Sequence, residues 1–506
     1  MIWRLILTFV AAPIAGWSFY HYHYMGKDTA DGKRPATVVE PLMLPAFVVM
    51  VVVISLVWGR MWRSGGLATA LGFTFLGLFL QISLYFLVLL CLMPLLRRHI
   101  SAQACATLWI LPNLMYVMTY ARFAGMKPLF LLPIPGPKGQ KMLALIWLAG
   151  FGGTLLWQLG SHFRFRRSLL KGARPVERVE IRNLYARARG RCEQKYAIPL
   201  LVSHEIQTPV TVGCFRSTAV MVLPKEDYTE EELTLIFRHE FQHIQQADMR
   251  TKVFLAFCAA MCWFNPLMWI ARKKASEDLE LSCDEEVLKG AGETVRRRYA
   301  ELLLRTAGDS RGFSTCLSAG ANSLRYRLKN VVAPNRRTSG TLCVVLAVAA
   351  LFMGTRVFAF AEPVGTVKEL IFSRYPEGAA VDGINISGDW NGIRGIRDIY
   401  GWREEELMDY IGSLRVRRLY CDEYSTDDNE EGKGLFIDME TVLLEEYGEV
   451  QNGLEVRNYL NLSDGLLEAN IPYDGNGNPL PYLLIDQIDW DYVESLTLLN
   501  WDKTLP

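Results

Sequence analysis

The chain has almost no net charge, few histidines and no cysteine framework, and each shortage excludes something. Its 54 Lys+Arg against 53 Asp+Glu leave a net charge of +1 over 506 residues, and no direct nucleic-acid binding is expected. Ten cysteines are present, but they are not spaced as a disulfide scaffold. Cys91, Cys105, Cys258, Cys262 and Cys343 lie in apolar stretches, Cys192, Cys214, Cys283 and Cys316 in the middle region, and Cys421 stands alone near the C-terminus. That fits a reduced middle region and a C-terminal part that does not rely on disulfides. With seven histidines in all, a tight histidine pattern has little chance of arising by accident. The C-terminal part carries no clear internal repeat.

Hydrophobic residues make up 51% of the chain and mean hydropathy is +0.13, both high for a soluble protein. The near-zero net charge hides an asymmetry. Residues 362–506 carry 11 Lys+Arg against 30 Asp+Glu, a net of −19, and residues 1–361 carry 43 against 23, a net of +20. Two environments are implied, with the basic part held near the cytoplasmic face of a membrane.

Apolar runs occupy 3–20, 41–58, 68–95, 104–120, 142–159 and 341–361, and ~20 such residues cross a bilayer as a helix. Basic clusters follow the third run (Arg97, Arg98, His99) and the fifth (Arg164, Arg166, Arg167, Lys171, Arg174) and precede the last (Arg325, Arg327, Lys329, Arg336, Arg337). These put 160–340 inside and 362–506 outside, against the bias of Arg122, Lys127, Lys138 and Lys141. Residues 1–65 are read as additional N-terminal membrane segments, 66–160 as core membrane helices, 161–340 as a catalytic domain, 341–361 as the last span and 362–506 as an acidic extracellular domain. The apolar stretch 251–271 is broken by Asn265-Pro266. It reads as a helical hairpin in the domain core or against the membrane, with a seventh span as the alternative.

The middle domain reads as α+β. Residues 210–223 are rich in β-branched and apolar types and stop at Pro224, which predicts strands. Thr229 and Glu232 form a capping box, and Leu233, Ile236, Phe237, Phe241 and Ile244 give the helix that follows a buried stripe. On that helix His239 and His243, four apart, project from one face and can bind one Zn²⁺, while Glu240 faces the metal-bound water as general base. A catalytic zinc takes three protein ligands and a water. The stretch 276–286 supplies Glu280 and Asp284 on one face, with Glu277 nearly as good by spacing, and periodicity does not choose between them.

The run RHEFQHIQQAD, WFNPLMWIARK, EDLELSCDEEVL from Leu235 to Leu288 resembles the protease domain of BlaR/MecR-type membrane metallopeptidases, and the resemblance extends over about 80–335. It implies a multi-span α-helical membrane protein with a cytoplasmic α+β gluzincin-type zinc protease domain and a small C-terminal α/β extracellular domain. It implies Glu280 as third ligand, Asp284 as its supporting partner and Asp248 as a helix-end packing residue; Cys283 is read as buried packing. A peptide is expected to add as a strand beside Val210, Thr211, Val212 and Gly213. His204 and His162 are read as surface or interfacial.

The β-lactam sensors of that family carry an acylated Ser-x-x-Lys. No serine in 362–506 has a lysine three positions on, so direct β-lactam sensing is not expected. The Asp474-Gly475-Asn476-Gly477-Asn478 cluster and Asp486, Asp489 and Asp491 lack EF-hand spacing and read as turn and surface residues. The resulting expectation is a multi-pass endopeptidase of the bacterial cell membrane that signals by cutting a cytoplasmic protein such as a transcriptional repressor. Its partners are that substrate and the lipid bilayer, with homo-oligomerisation left open. The alternatives are a constitutive quality-control or processing protease and a non-catalytic zinc-containing receptor.

Overall fold

The computed structural model describes residues 2–20, 41–57, 66–115, 130–133, 137–191, 198–204, 206–213, 218–225, 228–306, 315–316, 321–333, 337–353, 358–374, 380–390, 393–399, 401–418, 433–442, 458–463, 466–470 and 480–497. They fall into two compact units. One comprises Met1–Met50, Leu78–Met118 and Ile146–Thr355, the other Val51–Gly77, Thr119–Leu145 and Arg356–Pro506.

Most apolar runs become helices: Ile2–Tyr20, Met43–Val57, Gly66–His99, Pro137–Leu170 and Thr341–Met353. Among the described residues only Leu76–His99 is long and apolar enough to cross a bilayer by itself. Two runs depart from the expected spans. The described part of 104–120 is a nine-residue helix, Ala102–Ile110, followed by a 3-10 turn, Leu111–Leu114, that contains Pro112. This helix is buried against Pro266–Val287 and is too short to span. Among the described residues the last run is helical over Thr341–Met353, and Phe358–Ala361 is instead a strand paired in parallel with Phe130–Pro133. Outside a helix those backbone groups need partners, and the neighbouring strand supplies them.

In the first unit, helix Ile2–Tyr20 packs on Thr341–Met353 so closely that a Cβ at Gly16 would strike Val345. The segment expected as a hairpin is one: Asp248–Met261, a turn at 262–265, then Pro266–Val287. Asn265 starts the return helix by accepting from the Leu267 N–H at 3.0 Å, with Pro266 in the first turn, where its missing N–H costs nothing. Trp147 donates to Met261 O at 2.8 Å and stacks on Phe151, and the Trp263 indole fills the space a Cβ at Gly150 would need. These contacts fix the hairpin to the long helices.

The rest of this unit is built on a sheet of order Arg174–Pro175, Leu200–Ser203, Val220–Pro224, Val210–Val212 and Thr315–Cys316. Helices Val179–Arg191, Glu230–Gln246, Glu293–Arg305 and Ala321–Val332 enclose the core around Phe237, Phe241, Met221 and Leu303.

The second unit carries an antiparallel eight-stranded sheet of order Ile393–Ile399, Ala380–Trp390, Lys433–Val442, Asn458–Ser463, Leu466–Asn470, Leu480–Leu484, Arg415–Arg418 and Gly365–Thr366. Helices Trp402–Ser413 and Trp490–Thr497 contribute Leu407, Ile411, Val493 and Leu496 to one apolar core with Val416, Ile437 and Leu460. Asp486 is taken up by Arg415, and Asp489 accepts from the Tyr492 N–H at 3.1 Å at a helix start. Residues 474–478 lie outside the described residues.

Candidate metal centre

The motif helix Glu230–Gln246 begins at the expected capping box. The Thr229 N–H donates to Glu232 at 2.8 Å, and the Glu232 N–H donates back to the Thr229 hydroxyl at 3.3 Å. The acidic first turn complements the helix dipole. Its stripe of Leu233, Ile236, Phe237 and Phe241 is buried, and that burial turns His239, Glu240 and His243 toward the hairpin, where all three are enclosed. The helix stops at Ala247, whose φ of 59° is left-handed, a conformation costing a non-glycine residue roughly 1–2 kcal/mol. The sharp reversal swings Asp248 back under the histidines.

The return helix of the hairpin brings the third acid. Glu280 Oε2 lies 3.6 Å from His239 Nε2 and 3.5 Å from His243 Nε2, and the two nitrogens are 3.0 Å apart. Ligands ~2.0–2.1 Å from one ion in a tetrahedral shell sit ~3.3 Å from each other. This two-nitrogen, one-oxygen triangle therefore fits such an ion. Glu277, equivalent by spacing, is engaged elsewhere, with Lys274 at 2.9 Å and Arg97 at 3.7 Å.

A second row of groups holds these side chains. His243 Nδ1 faces Asp248 Oδ2 at 2.6 Å, a contact that turns Nε2 toward His239 and Glu280. Asp248 is thus more than a helix-end packing residue, and the sequence signal for it was the carboxylate five positions past His243, just after a helix stop. Cys283, read as packing, lies 3.1 Å from that same His243 nitrogen and 3.2 Å from Asp248. Asp284 occupies a supporting position. Its Oδ1 is 3.5 Å from His239 Nδ1, and the Tyr299 hydroxyl bridges the two, at 2.6 Å from Asp284 and 2.9 Å from His239. Arg327 closes the far side with Nε and Nη2 on Asp284 at 2.6 and 2.7 Å, and Lys252 meets Glu280 Oε1 at 3.2 Å. Tyr299 and Lys252 belong to no local motif; Arg327 lies in Leu324-Arg325-Tyr326-Arg327-Leu328, a stretch within the family resemblance, where it reads as one of the basic residues before the last span and not as a site residue.

The charges follow from these contacts. Burial opposes ionisation of Glu280, yet the His243 imidazolium, Lys252 and hydrogen bonds from both histidines hold it well below the usual carboxylate range. Burial likewise opposes protonation of His243, and the neighbouring Cys283 sulfur and Glu280 carboxylate, with hydrogen bonds to Asp248 and Cys283, override it and raise it well above 6.5. Burial pushes the Cys283 thiol far up.

Val210 and Thr211 pair with Val222 and Met221 on one side and with Cys316 and Thr315 on the other, and Val212 pairs with Val220. The outer edge expected to receive a peptide is therefore taken along Val210 and Thr211. Gly213 follows at φ 131°, where a Cβ would run into the backbone of Thr218 and Ala219. His204 is exposed just beyond strand Leu200–Ser203 and joins none of the metal-competent groups among the described residues.

Residues 134–331 match the peptidase family M56, described as the BlaR1 peptidase. The chain is 27% identical over 222 residues to the regulatory protein BlaR1 of Bacillus licheniformis, covering 42% of this chain and 36% of that protein. It is 26% identical over 175 residues to the methicillin resistance mecR1 protein of Staphylococcus aureus, covering 32% and 28% respectively. The chain thus spans about a third of the length of these curated relatives.

Proposed function

We propose, from the premise that this is a BlaR/MecR-type protein through its peptidase region, that the chain is a membrane-embedded zinc endopeptidase that signals by cutting a cytoplasmic protein. The observation that carries the reading is the meeting of His239, His243 and Glu280, from two helices, in a triangle of 3.0–3.6 Å. Zinc held there supplies Lewis acidity toward the scissile carbonyl and lowers the pKa of a water. Glu240, beside the two histidines and fully buried, takes the proton from that water and delivers it to the departing amine nitrogen. Asp248 and the Tyr299–Asp284 pair hold the imidazoles in the tautomers that present Nε2.

The membrane part of the reading rests on apolar side chains left uncovered on the long helices. They include Leu84, Leu87, Leu92 and Leu95, with Leu156, Trp157, Leu342 and Leu346 on two others. Basic residues Arg97, Arg98 and Arg164 to Arg167 at helix ends support a cytoplasmic site. A repressor is the substrate class favoured by the kinship with a regulatory protein.

The full-length protein is assayed for zinc and for cleavage of itself and of co-expressed cytoplasmic repressors, beside Glu240→Gln. One bound zinc in both, with cleavage lost by roughly 10²–10⁴-fold in the variant, is the expected result. Unchanged cleavage in Glu240→Gln would end the reading.

A further inference from the structure

We propose that Arg327 is a positioning residue of the metal centre, its guanidinium fork holding the Glu280 and Asp284 carboxylates in the arrangement that takes zinc. This rests on the metallopeptidase reading above and adds to it a residue outside the motif and the ligand set.

The helix Ala321–Val332 turns Leu324, Leu328 and Val331 into the core at the spacing i, i+4, i+7. Arg327, at i+3, occupies a place on that apolar stripe and is 0% exposed. A guanidinium costs far more to enclose than leucine would, and filling such a place with an apolar side chain is often the more stable choice. Its retention at the centre of the cluster therefore points to work beyond packing. The neighbouring Arg325 is exposed and serves as an internal control.

The geometry defines that work. Asp284 receives two parallel hydrogen bonds from Arg327, at 2.6 and 2.7 Å, while Nη1 lies 3.4 Å from Glu280 Oε2. One planar fork thus spans two carboxylates one helical turn apart. Between them they would repel, and their charge is balanced where it sits. Through Asp284 the effect continues to the Tyr299 hydroxyl and on to His239 Nδ1. Arg327 consequently touches one ligand directly and a second through two intervening residues, Asp284 and Tyr299. Lysine keeps the charge but cannot make the paired contact.

The test measures zinc affinity of the full-length protein in detergent, by competition with a chromogenic chelator, together with the thermal midpoint of the metal-free chain. Arg327→Lys is expected to bind zinc 10–100-fold more weakly, the range typical of residues that orient ligands, with Arg325→Lys unchanged. A second variant, Arg327→Met with Asp284→Leu, removes both charges and leaves an apolar interior; it is expected to fold and still bind zinc at least about tenfold more weakly. A folded variant of either kind with wild-type zinc affinity overturns the proposal. So does failure of the apolar pair to fold, since Arg327 would then serve the fold itself. A wild-type chain that binds no zinc ends the metallopeptidase reading instead, and the two failures are told apart in the same assay.

Discussion

The two units of this molecule bury different things. The core of the first unit encloses Glu240, Asp248, Asp278, Glu280, Asp284 and Arg327, and the apolar helices Gly66–His99 and Ala102–Ile110 contribute to it, with Arg97 at 2.7 Å and Trp109 at 2.8 Å from Asp278. The interior of the C-terminal unit is Val367, Ile411, Val416, Ile437, Leu460 and Leu467; its one buried acid among the described residues, Glu362, faces Arg418 at 3.8 Å, and its closest ion pair, Arg415 with Asp486, stands in solvent. Enclosing ions is costly unless each is paired, so a concentration of them marks the candidate site. An interior of aliphatic groups marks only where it folds.

The largest expected difference between the units is in metal binding. Glu280→Ala should weaken zinc by more than about 100-fold, beyond the loss typical of an orienting residue, while Glu277→Gln leaves it unchanged. Retained zinc in Glu280→Ala would detach the buried acids from the metal and remove the functional side of the contrast. Next comes stability. Asp284→Ala strands the buried Arg327 and should lower unfolding free energy by ~3–5 kcal/mol. Ile437→Ala opens a cavity in the other core and costs ~2–5 kcal/mol, with zinc content intact. Calorimetry and metal analysis of the two variants separate these effects; zinc lost from Ile437→Ala would break the contrast.

What the sequence made legible was what local pattern encodes. The capping box, the buried stripe from Leu233 to Phe241 and the pairing of His239 with His243 are features of one helix, set by 3.6-residue periodicity. The hairpin at 251–271 was readable because Asn265-Pro266 can only start a helix or stop one. Spacing left Glu277, Glu280 and Asp284 open, because the choice depends on how the hairpin packs against another helix, and that is a tertiary fact. Tyr299 and Arg327 were out of reach for the same reason, at 60 and 43 positions from their partners His239 and Asp284. The run at 104–120 misled because apolar composition is shared by a membrane span and a helix buried in protein.

A smaller effect is expected from pH. His243 is raised above 6.5 in the metal-free protein, so its contribution to stability is complete below about 6.5 and is lost as pH rises through the raised value. Zinc requires the neutral imidazole, so its affinity should move the other way, climbing over the same window above 6.5. Chelator competition and thermal melts from about pH 6 to 8 check both signs. Affinity that does not change with pH would mean that no proton leaves when zinc enters.

The smallest effect should come from the exposed pair of the C-terminal unit. Arg415 bonds Asp486 at 2.6 and 3.0 Å, and its side-chain and backbone hydrogen bonds hold Asp486 below the ordinary carboxylate value. A depressed carboxylate stabilises only above its unfolded pKa, so whatever it contributes disappears as pH falls below about 4. Solvent screens the pair and holding two long side chains in register costs entropy. Arg415→Ala should therefore leave the unfolding midpoint unchanged at physiological salt, and any residual shift should vanish in high salt. A loss as large as that of Asp284→Ala would show that good geometry alone makes an ion pair matter, and burial would no longer distinguish the two units.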